Sequence, residues 1–405
     1  MNYLDGQLQV TYRLGPPVVV LVSPVAITLW YRHKSLPQSR QDQAAMWFGY
    51  RSLRRFIALT ALAVWWAVWD LDGGWLGALK LLPSPSSLLG EGNNPRLLFS
   101  IPVIASLFLL QILNYSTDKT VSDLHWSHMA IARRAWWSVV QDVASMLMVA
   151  TGFESIFVGR YSGILWIVGA ALVHRVGMVF LRLAEGMRFN RLKSGELRNR
   201  SLAMARKMGI ALDSVCMVPA GKGQLTNAYG GSRMIALTDA LPKYLNEKQV
   251  DSVIAHELIH VKRNHARYGS LVVGASFFVL ILLMFRIPSP MMRFRPLLDL
   301  GIAYVPMIGF YYFSRRAEFE ADREAVLYTG DPEAAIRGLA NLYQSTSVPF
   351  HLGKLAELFQ THPSLTRRVL TIAQVGEMPK DRLSKVLKEA GLPGEASDAA
   401  AEVAS

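Results

Sequence analysis

The sequence contains very little cysteine and comparatively little charge. Cys216 is the single cysteine among 405 residues, so disulfide frameworks and cysteine-rich zinc or iron–sulfur sites are excluded. Charged residues make up 18% of the chain, below the roughly 25% typical of soluble globular domains. In contrast, 51% of the residues are apolar and the mean hydropathy is +0.23. This composition disfavours a soluble globular protein, and it excludes disorder or coiled coil for most of the chain.

Long apolar runs are the main feature of the sequence. A membrane-spanning helix needs about 20 mostly apolar residues, or roughly 17 when flanking Arg, Lys, Trp and Tyr reach the interface. Six runs meet or approach this length, and Gln141 and Asp142 interrupt a seventh. The runs, including the interrupted 136–153, are 15–31, 56–69, 97–113, 136–153, 162–181, 270–285 and 297–313. The first is expected to stay in the membrane, because it has neither the basic start nor the cleavage site of a signal peptide.

The Lys and Arg residues behind the net charge of +13 lie beside these runs. They are dense in residues 32–55 and 182–207, whereas residues 70–96 carry more acidic side chains than basic ones. Since short cytoplasmic loops are enriched in Lys and Arg, we expect the first two segments inside the cell and the third outside. The positive residues form no stripe interleaved with aromatics, so nucleic acid is not an expected partner. The sequence predicts a multi-pass protein of a bacterial inner membrane, in contact with the lipid bilayer.

One loop departs from this charge pattern. Arg286, Arg293 and Arg295 would lie outside the cell if both of the last two runs crossed the membrane fully. Either this hairpin enters the membrane without crossing it, or neighbouring helices override the charge bias.

Residues 256–260 read His-Glu-Leu-Ile-His, an HExxH motif. Apolar residues recur at helical spacing from 250 to 258, so the motif is predicted to lie on a helix. His256 and His260, four positions apart, then point to the same side and can bind a single zinc ion. Glu257 lies beside the metal, where a carboxylate can act as general base on a water molecule. A chance match on an ordinary amphipathic helix is the alternative, and a third ligand decides between the two.

A catalytic zinc keeps three protein ligands and one open position. The downstream candidates for the third ligand are His265, Glu318, Glu320, Asp322, Glu324 and His362. Glu318 and Asp322 form an i, i+4 pair on one helical face, so we predict that Glu318 completes the ligand set. Asp322 would then accept a hydrogen bond from the outer nitrogen of a ligand histidine and fix its orientation. Glu320 is rotated about 200° from Glu318 and is expected to point into solvent near Arg323.

The two blocks together resemble a known family. The HExxH motif, two apolar runs and then Ser314-Arg315-x-x-Glu318-x-x-Ala321-Asp322 are similar to the integral-membrane zinc metalloproteases that include the HtpX heat-shock protease and the type I CAAX prenyl protease. The resemblance covers residues 190–376. The apolar runs before it exceed those of HtpX-like enzymes and do not match the prenyl protease arrangement in sequence.

The resemblance implies a fold, a cofactor and further site residues. The expected fold is a polytopic α-helical membrane protein with a mainly helical zincin-type domain, of α+β class with a small edge sheet and gluzincin ligands. One Zn²⁺ per chain would be held by His256, His260 and Glu318. The family also places a histidine and an arginine near the scissile bond, which correspond here to His362 and Arg368.

A short strand is predicted just before the motif helix. Polar and apolar residues alternate over 233–237 after a Gly-Gly pair, as in an edge strand to which a substrate peptide can add by main-chain hydrogen bonds. The residues predicted to form this substrate edge are Asn227, Ala228, Met234, Ile235 and Ala236. An ordinary half-buried strand would show the same pattern.

The predicted function is zinc-dependent hydrolysis of peptide bonds in membrane or membrane-proximal proteins, for quality control or processing. A signalling or prenyl-type protease with a narrow substrate is one alternative, and a non-catalytic scaffold with a structural zinc is another. The predicted domains are a region of about five spans at 1–182, the first half of the protease domain at 183–268, a membrane hairpin at 269–313, the second half at 314–390 and a disordered tail at 391–405.

Overall fold

The computed structural model describes most of the chain after residue 94, together with a short helical segment near its start. The described residues are 22–34, 50, 95–121, 127–157, 160–184, 188–220, 227–231, 233–284, 295–345 and 357–391. Contacts divide the chain into two compact units. The first consists of residues 1–37, 54–184 and 287–301, and the second of 38–53, 185–286 and 302–405.

Three long helices form the described part of the first unit, besides the helical residues 22–34. They are α1 (Pro95–Val121), α2 (His128–Phe157) and α3 (Ser162–Ala184). Gln141, which interrupts the apolar run 136–153, lies on α2 and contacts the neighbouring helix α3. Its Nε2 lies 2.9 Å from Nδ1 of His174 on α3 and donates to the His174 carbonyl at 3.0 Å. Gln141 therefore ties two neighbouring helices together through a polar contact.

A small sheet and the HExxH helix form the first half of the second unit. The strands are β1 (Asn190–Arg191), β2 (Ser214–Val218), β3 (Ala228–Gly230) and β4 (Met234–Thr238). Their order is β1-β2-β4-β3, with β2 and β4 parallel and the other two pairings antiparallel.

The position of β4 corrects the predicted substrate edge. Met234, Ile235 and Ala236 lie on an interior strand, paired on both sides, and Ile235 and Ala236 are fully buried. Among the described strands, β3 with Ala228 is the outermost on the side of the motif helix. The alternation of polar and apolar residues predicts a strand, but it does not show whether β3 or β4 lies at the edge of the sheet.

The helices of the second unit pack on this sheet and on each other. They are α4 (Glu196–Lys207), α5 (Leu241–Tyr244), α6 (Glu247–Lys262), α7 (His265–Met284), α8 (Arg295–Thr329, which starts in the first unit), α9 (Pro332–Ser345), α10 (Leu365–Val375) and α11 (Lys380–Glu389). One core joins the sheet to α6 through Ile235, Leu237 and Ile254. A second core joins α9, α10 and α11 through Ile336, Ile372 and Val386.

The motif helix α6 has well-defined ends. At its start, Oδ1 of Asn246 accepts from the Gln249 N–H at 3.0 Å, and Oε1 of Gln249 accepts from the Asn246 N–H at 3.1 Å. This reciprocal capping box satisfies two donors that the first turn leaves free. At its end, Asn264 adopts a left-handed conformation with φ 52°, which Asn tolerates better than most residues. That turn starts α7 at His265 and brings its ring back beside α6.

Several predicted spans correspond to long helices, but the membrane assignment itself is not confirmed. Within the part of the chain that the structure describes, no helix meets the combined length and hydropathy requirement for crossing a membrane. The predicted run 56–69, most of the loop 70–96, the hairpin loop 285–294 and almost all of the tail lie outside the described residues.

Candidate metal centre

Two histidines of α6 and one glutamate of α8 converge in the second unit. Nε2 of His256 and Nε2 of His260 are 3.1 Å apart. Glu318 reaches both, with Oε2 at 3.5 Å from His256 Nε2 and Oε1 at 3.4 Å from His260 Nε2. Four-coordinate zinc with bonds of about 2.0–2.1 Å separates its ligand atoms by roughly 3.4 Å. The three separations therefore match the donor set of a single tetrahedral metal ion.

One atom of this cluster supports the fit directly. Oε2 of Glu318 is fully buried and accepts no hydrogen bond from any described residue. It lies 3.1 Å from Nη1 of Arg368, which gives charge compensation without a hydrogen bond. A buried carboxylate oxygen without a donor costs free energy unless another partner is present. A cation between Glu318 and the two histidines would supply that partner.

Asp322 holds the outer nitrogen of His256. Its Oδ1 lies 2.9 Å from His256 Nδ1, on the side of the ring away from Glu318. Arg368 donates to both oxygens of Asp322, from Nε and Nη2 at 2.7 Å each. Asp322 and Arg368 are both 5% exposed, so this bidentate pair is shielded from water. The guanidinium expected near the scissile bond is thus already bound to Asp322 and Glu318.

His260 is held in a different way. Its Nδ1 lies 2.8 Å from Nδ1 of His265, and Nε2 of His265 lies 3.3 Å from Oε2 of Glu320. Glu320 also pairs with Nε of Arg263 at 3.0 Å. Sequence analysis expected Glu320 to be a solvated carboxylate near Arg323. Helical rotation does turn it away from Glu318, but it contacts His265 and Arg263 there. The sequence shows His265 shortly after the HExxH motif, but it does not show that Glu320 is its partner.

His362 lies at the edge of the same cluster. Its Nε2 is 3.4 Å from Oε1 of Glu318, and its Nδ1 is 2.9 Å from the Thr361 hydroxyl. The His362 side chain is 60% exposed, in contrast to the buried ligands. It can therefore face an incoming substrate, whereas Arg368 cannot without leaving its partners.

A buried arginine fixes the loop that carries His362. Nη1 of Arg315 donates to the carbonyls of Glu357, Leu358 and Gln360 at 2.9, 3.1 and 3.0 Å. On the other side of the loop, Tyr343 donates its hydroxyl to the Pro363 carbonyl at 3.1 Å. These contacts satisfy carbonyls that would otherwise be buried without donors.

Glu257 lies between the motif helix and β3. A Cβ built on Gly230 would meet the Glu257 carbonyl oxygen at 2.9 Å and its Oε2 at 3.2 Å. The backbone of β3 therefore approaches the Glu257 carboxylate so closely that only glycine fits without displacement.

The charges of the cluster are mutually compensating. Burial would raise the pKa of Glu318, but the positive charges of His362 and Arg368 and the contacts with His256 and His260 lower it well below its ordinary value. Burial would lower the pKa of His256, but its contacts with the carboxylates of Asp322 and Glu318 raise it to about 10. Burial, followed by the charge of His260, lowers the pKa of His265. Glu318 is therefore ionised, as a carboxylate has to be in order to bind a metal ion.

Two histidines one helical turn apart, a glutamate from a second helix and a carboxylate beside them are the arrangement typical of metallopeptidases. Residues 191–375 match the sequence profile of Peptidase family M48. The match includes both motif blocks, confirms the resemblance predicted from them and supports a peptidase.

Relatives agree with this assignment. A Protease HtpX homolog of Ralstonia pickettii is 24% identical over an alignment of 280 residues that covers 58% of this chain and 97% of the relative. A Protease HtpX homolog of Campylobacter curvus is 26% identical over 285 residues, with the same coverage of both chains.

The crystal structure of S. mikatae Ste24p has a similar fold, with a TM-score of 0.56 at 14% sequence identity. The match covers 88% of this chain and 98% of Ste24p. It extends well beyond residues 191–375, so the fold similarity includes regions whose sequence showed no correspondence.

Proposed function

We propose that this protein is a membrane-embedded zinc metalloendopeptidase that cleaves membrane or membrane-proximal proteins. The observation that carries the proposal is the convergence of His256, His260 and Glu318 at the separations of a tetrahedral site, with one buried oxygen of Glu318 lacking a donor. One zinc ion per chain would occupy this site.

Zinc bound there supplies the Lewis acidity that makes water nucleophilic near neutral pH. His256, His260 and Glu318 would hold the ion, and Asp322 and His265 contact the outer nitrogens of the two histidines. Glu257 directly follows His256 on α6, and its carboxylate beside Gly230 can take a proton from the attacking water and deliver it to the leaving amine.

His362 and Arg368 are proposed to have different roles. His362 is exposed and adjacent to Glu318, so it can donate a hydrogen bond to the oxyanion that develops on the scissile carbonyl. Arg368 is buried against Asp322 and Glu318, which makes it a positioning residue that also adds positive charge behind the site.

The outer edge of β3 is proposed to bind substrate. Asn227 and Ala228 lie at this edge, and Gly230 brings the strand next to Glu257. An extended peptide that adds antiparallel or parallel to β3 would pass beside the general base, and main-chain hydrogen bonds would require little side-chain identity.

Membrane embedding is proposed from apolar side chains on α3 that face solvent in the chain alone. The large apolar residues of α3 that are at least 44% exposed are Ile164, Leu165, Trp166, Val168, Leu172, Val176, Val179 and Phe180. A soluble monomer rarely exposes so large an apolar surface, and lipid would cover it. The positive segments around the runs favour a bacterial inner membrane with the catalytic unit in the cytoplasm.

The experiment that tests the function is cleavage of an unfolded protein such as casein by detergent-purified enzyme. Wild-type protein should cleave it, a chelator should abolish cleavage and zinc should restore it. Glu257→Gln should bind one zinc and cleave nothing. A protein that binds no zinc would overturn the proposal, and a scaffold with structural zinc would bind zinc in both forms and show no cleavage with any substrate.

A further inference from the structure

His265 and Glu320 lie behind the proposed zinc ligand His260, and the mechanism above assigns neither of them a chemical step. His265 is the first residue of α7 and is 8% exposed, although it is a polar side chain next to a long apolar helix. Its ring lies edge-on to His260, with centroids 4.9 Å apart, and edge-on to Phe313 of α8 at 6.3 Å. A buried histidine in contact on both ring nitrogens is oriented by its surroundings.

The positions of the proposed ligand atoms determine which nitrogens of His260 and His265 donate hydrogen bonds and which accept them. Nε2 of His260 faces His256 and Glu318, so a metal ion would bind at that atom. The proton of a neutral His260 then resides on Nδ1, which makes Nδ1 a donor. Nδ1 of His265, at 2.8 Å, has to be the acceptor. The proton of His265 therefore lies on Nε2, where it is donated to Oε2 of Glu320 at 3.3 Å.

The two histidine ligands are consequently supported by different partners. His256 donates directly to a buried carboxylate, Asp322. His260 reaches its carboxylate, Glu320, through an intervening imidazole. Glu320 is half-exposed and is held in place by Arg263 at 3.0 Å.

We infer that His265 is a positioning residue that accepts the Nδ1 proton of His260 and passes this hydrogen bond to Glu320, fixing the ring for metal binding. The inference rests on the proposed zinc site. Outer partners of this kind typically alter metal affinity 10- to 100-fold when removed, because they fix both the tautomer and the orientation of the ligand.

Two amide substitutions separate the acceptor role from simple space filling. In His265→Asn, the amide oxygen can occupy the position of Nδ1 and accept from His260. In His265→Gln, the longer side chain carries the amide group out to the position of Nε2, where it can reach Glu320 instead. The two variants differ by a single methylene group, so they are matched in polarity and charge.

The readouts are the zinc dissociation constant from chelator competition and the visible spectrum of the cobalt-substituted protein, both measured on full-length protein in detergent. We expect His265→Asn to bind zinc within about threefold of wild type with an unchanged cobalt spectrum. His265→Gln should bind 10- to 100-fold more weakly with an altered spectrum. Glu320→Gln should weaken binding, because its amide N–H can donate to Nε2 of His265 and thereby move the His265 proton to Nδ1, which then no longer accepts from His260. His265→Asn avoids this effect, since its amide oxygen accepts without help from Glu320. Glu324→Gln, which removes another partner of Arg263, should bind zinc like wild type.

The failures of this inference and of the proposed function are distinguishable. If wild-type protein binds zinc and cleaves substrate, yet His265→Gln binds zinc as tightly as wild type, the inference is wrong and the protease assignment stands. Equal weakening by Asn and Gln would also overturn it, because the side chain would then matter for packing alone. If wild-type protein binds no zinc, the proposed function fails first.

Discussion

Nδ1 of His256 lies 2.9 Å from Oδ1 of Asp322, and the same carboxylate receives two hydrogen bonds from Arg368. The three residues come from three different helices, α6, α8 and α10. The pair of His256 and Asp322 therefore links the proposed ligand histidine on α6 to helix α8. A ligand held in this way needs little reorganisation when the metal binds.

Removal of the Asp322 charge should weaken metal binding. In Asp322→Asn, the side chain can present its NH₂ group to His256 or to Arg368, both of which are donors. We expect the zinc dissociation constant to rise about 10- to 100-fold, measured by chelator competition. Asp381→Asn, an exposed position on α11, is the matched control and should leave it unchanged. Unaltered affinity in Asp322→Asn would show that this contact does not orient His256.

A side chain at Gly230 should impair catalysis and spare the metal. In Gly230→Ala, the new Cβ would meet the Glu257 backbone oxygen at 2.9 Å and its carboxylate at 3.2 Å, so β3 or Glu257 has to shift. We expect kcat to fall at least about tenfold, since small displacements of a general base carry large rate penalties. Zinc stoichiometry should remain one per chain. Gly274→Ala, where a Cβ meets nothing within 4 Å, should keep full activity.

The hydrogen bonds from Arg315 to the carbonyls of residues 357, 358 and 360 should stabilise the loop that carries His362. Arg315→Ala removes three hydrogen bonds to buried or partly buried carbonyls, and we expect a loss of about 1–3 kcal/mol in the free energy of unfolding. Denaturant unfolding of the purified protein measures this loss. Cleavage should fall as well, because His362 would lose its fixed position. Arg316→Ala, at an exposed neighbouring position whose side chain donates to the Tyr312 hydroxyl, should change neither quantity substantially.

Zinc should stabilise the folded protein through its ligands. A ligand that binds only the native state adds roughly 4 kcal/mol to the free energy of unfolding when its free concentration is about 1,000 times its dissociation constant. The Tm of wild-type protein should therefore rise on addition of zinc and fall with chelator. Glu318→Gln, which replaces the anionic ligand by a neutral amide, should lose most of this response. An equal zinc-dependent shift in wild type and Glu318→Gln would place the metal elsewhere.

The sequence was most informative where function depends on local spacing. HExxH on one helix and the Glu318–Asp322 pair on another each follow from the helical repeat of 3.6 residues, which brings positions i and i+4 to one face. The family resemblance followed from the same two blocks. Within the described residues, the predicted runs form helices, as long apolar segments favour.

The sequence did not predict which distant segments of the chain pair with each other. Alternation over residues 233–237 predicted a strand correctly, but the edge of the sheet is β3 and not β4, because strand order depends on contacts between distant segments. The role of Arg368 likewise changed, since only packing of α10 against α8 brings it to Asp322.

The sequence by itself determined the chemistry of this protein: which residues can bind a metal, which one can act as a base, and that apolar segments precede them. Only the tertiary structure decided how that chemistry is supported, with Asp322 behind His256, His265 and Glu320 behind His260, and Arg315 behind His362. The physical reason is that ligand spacing is local and repeats with the helix, whereas contacts such as His256 with Asp322 and His265 with Glu320 join residues 66 and 55 positions apart and exist only after the helices have packed.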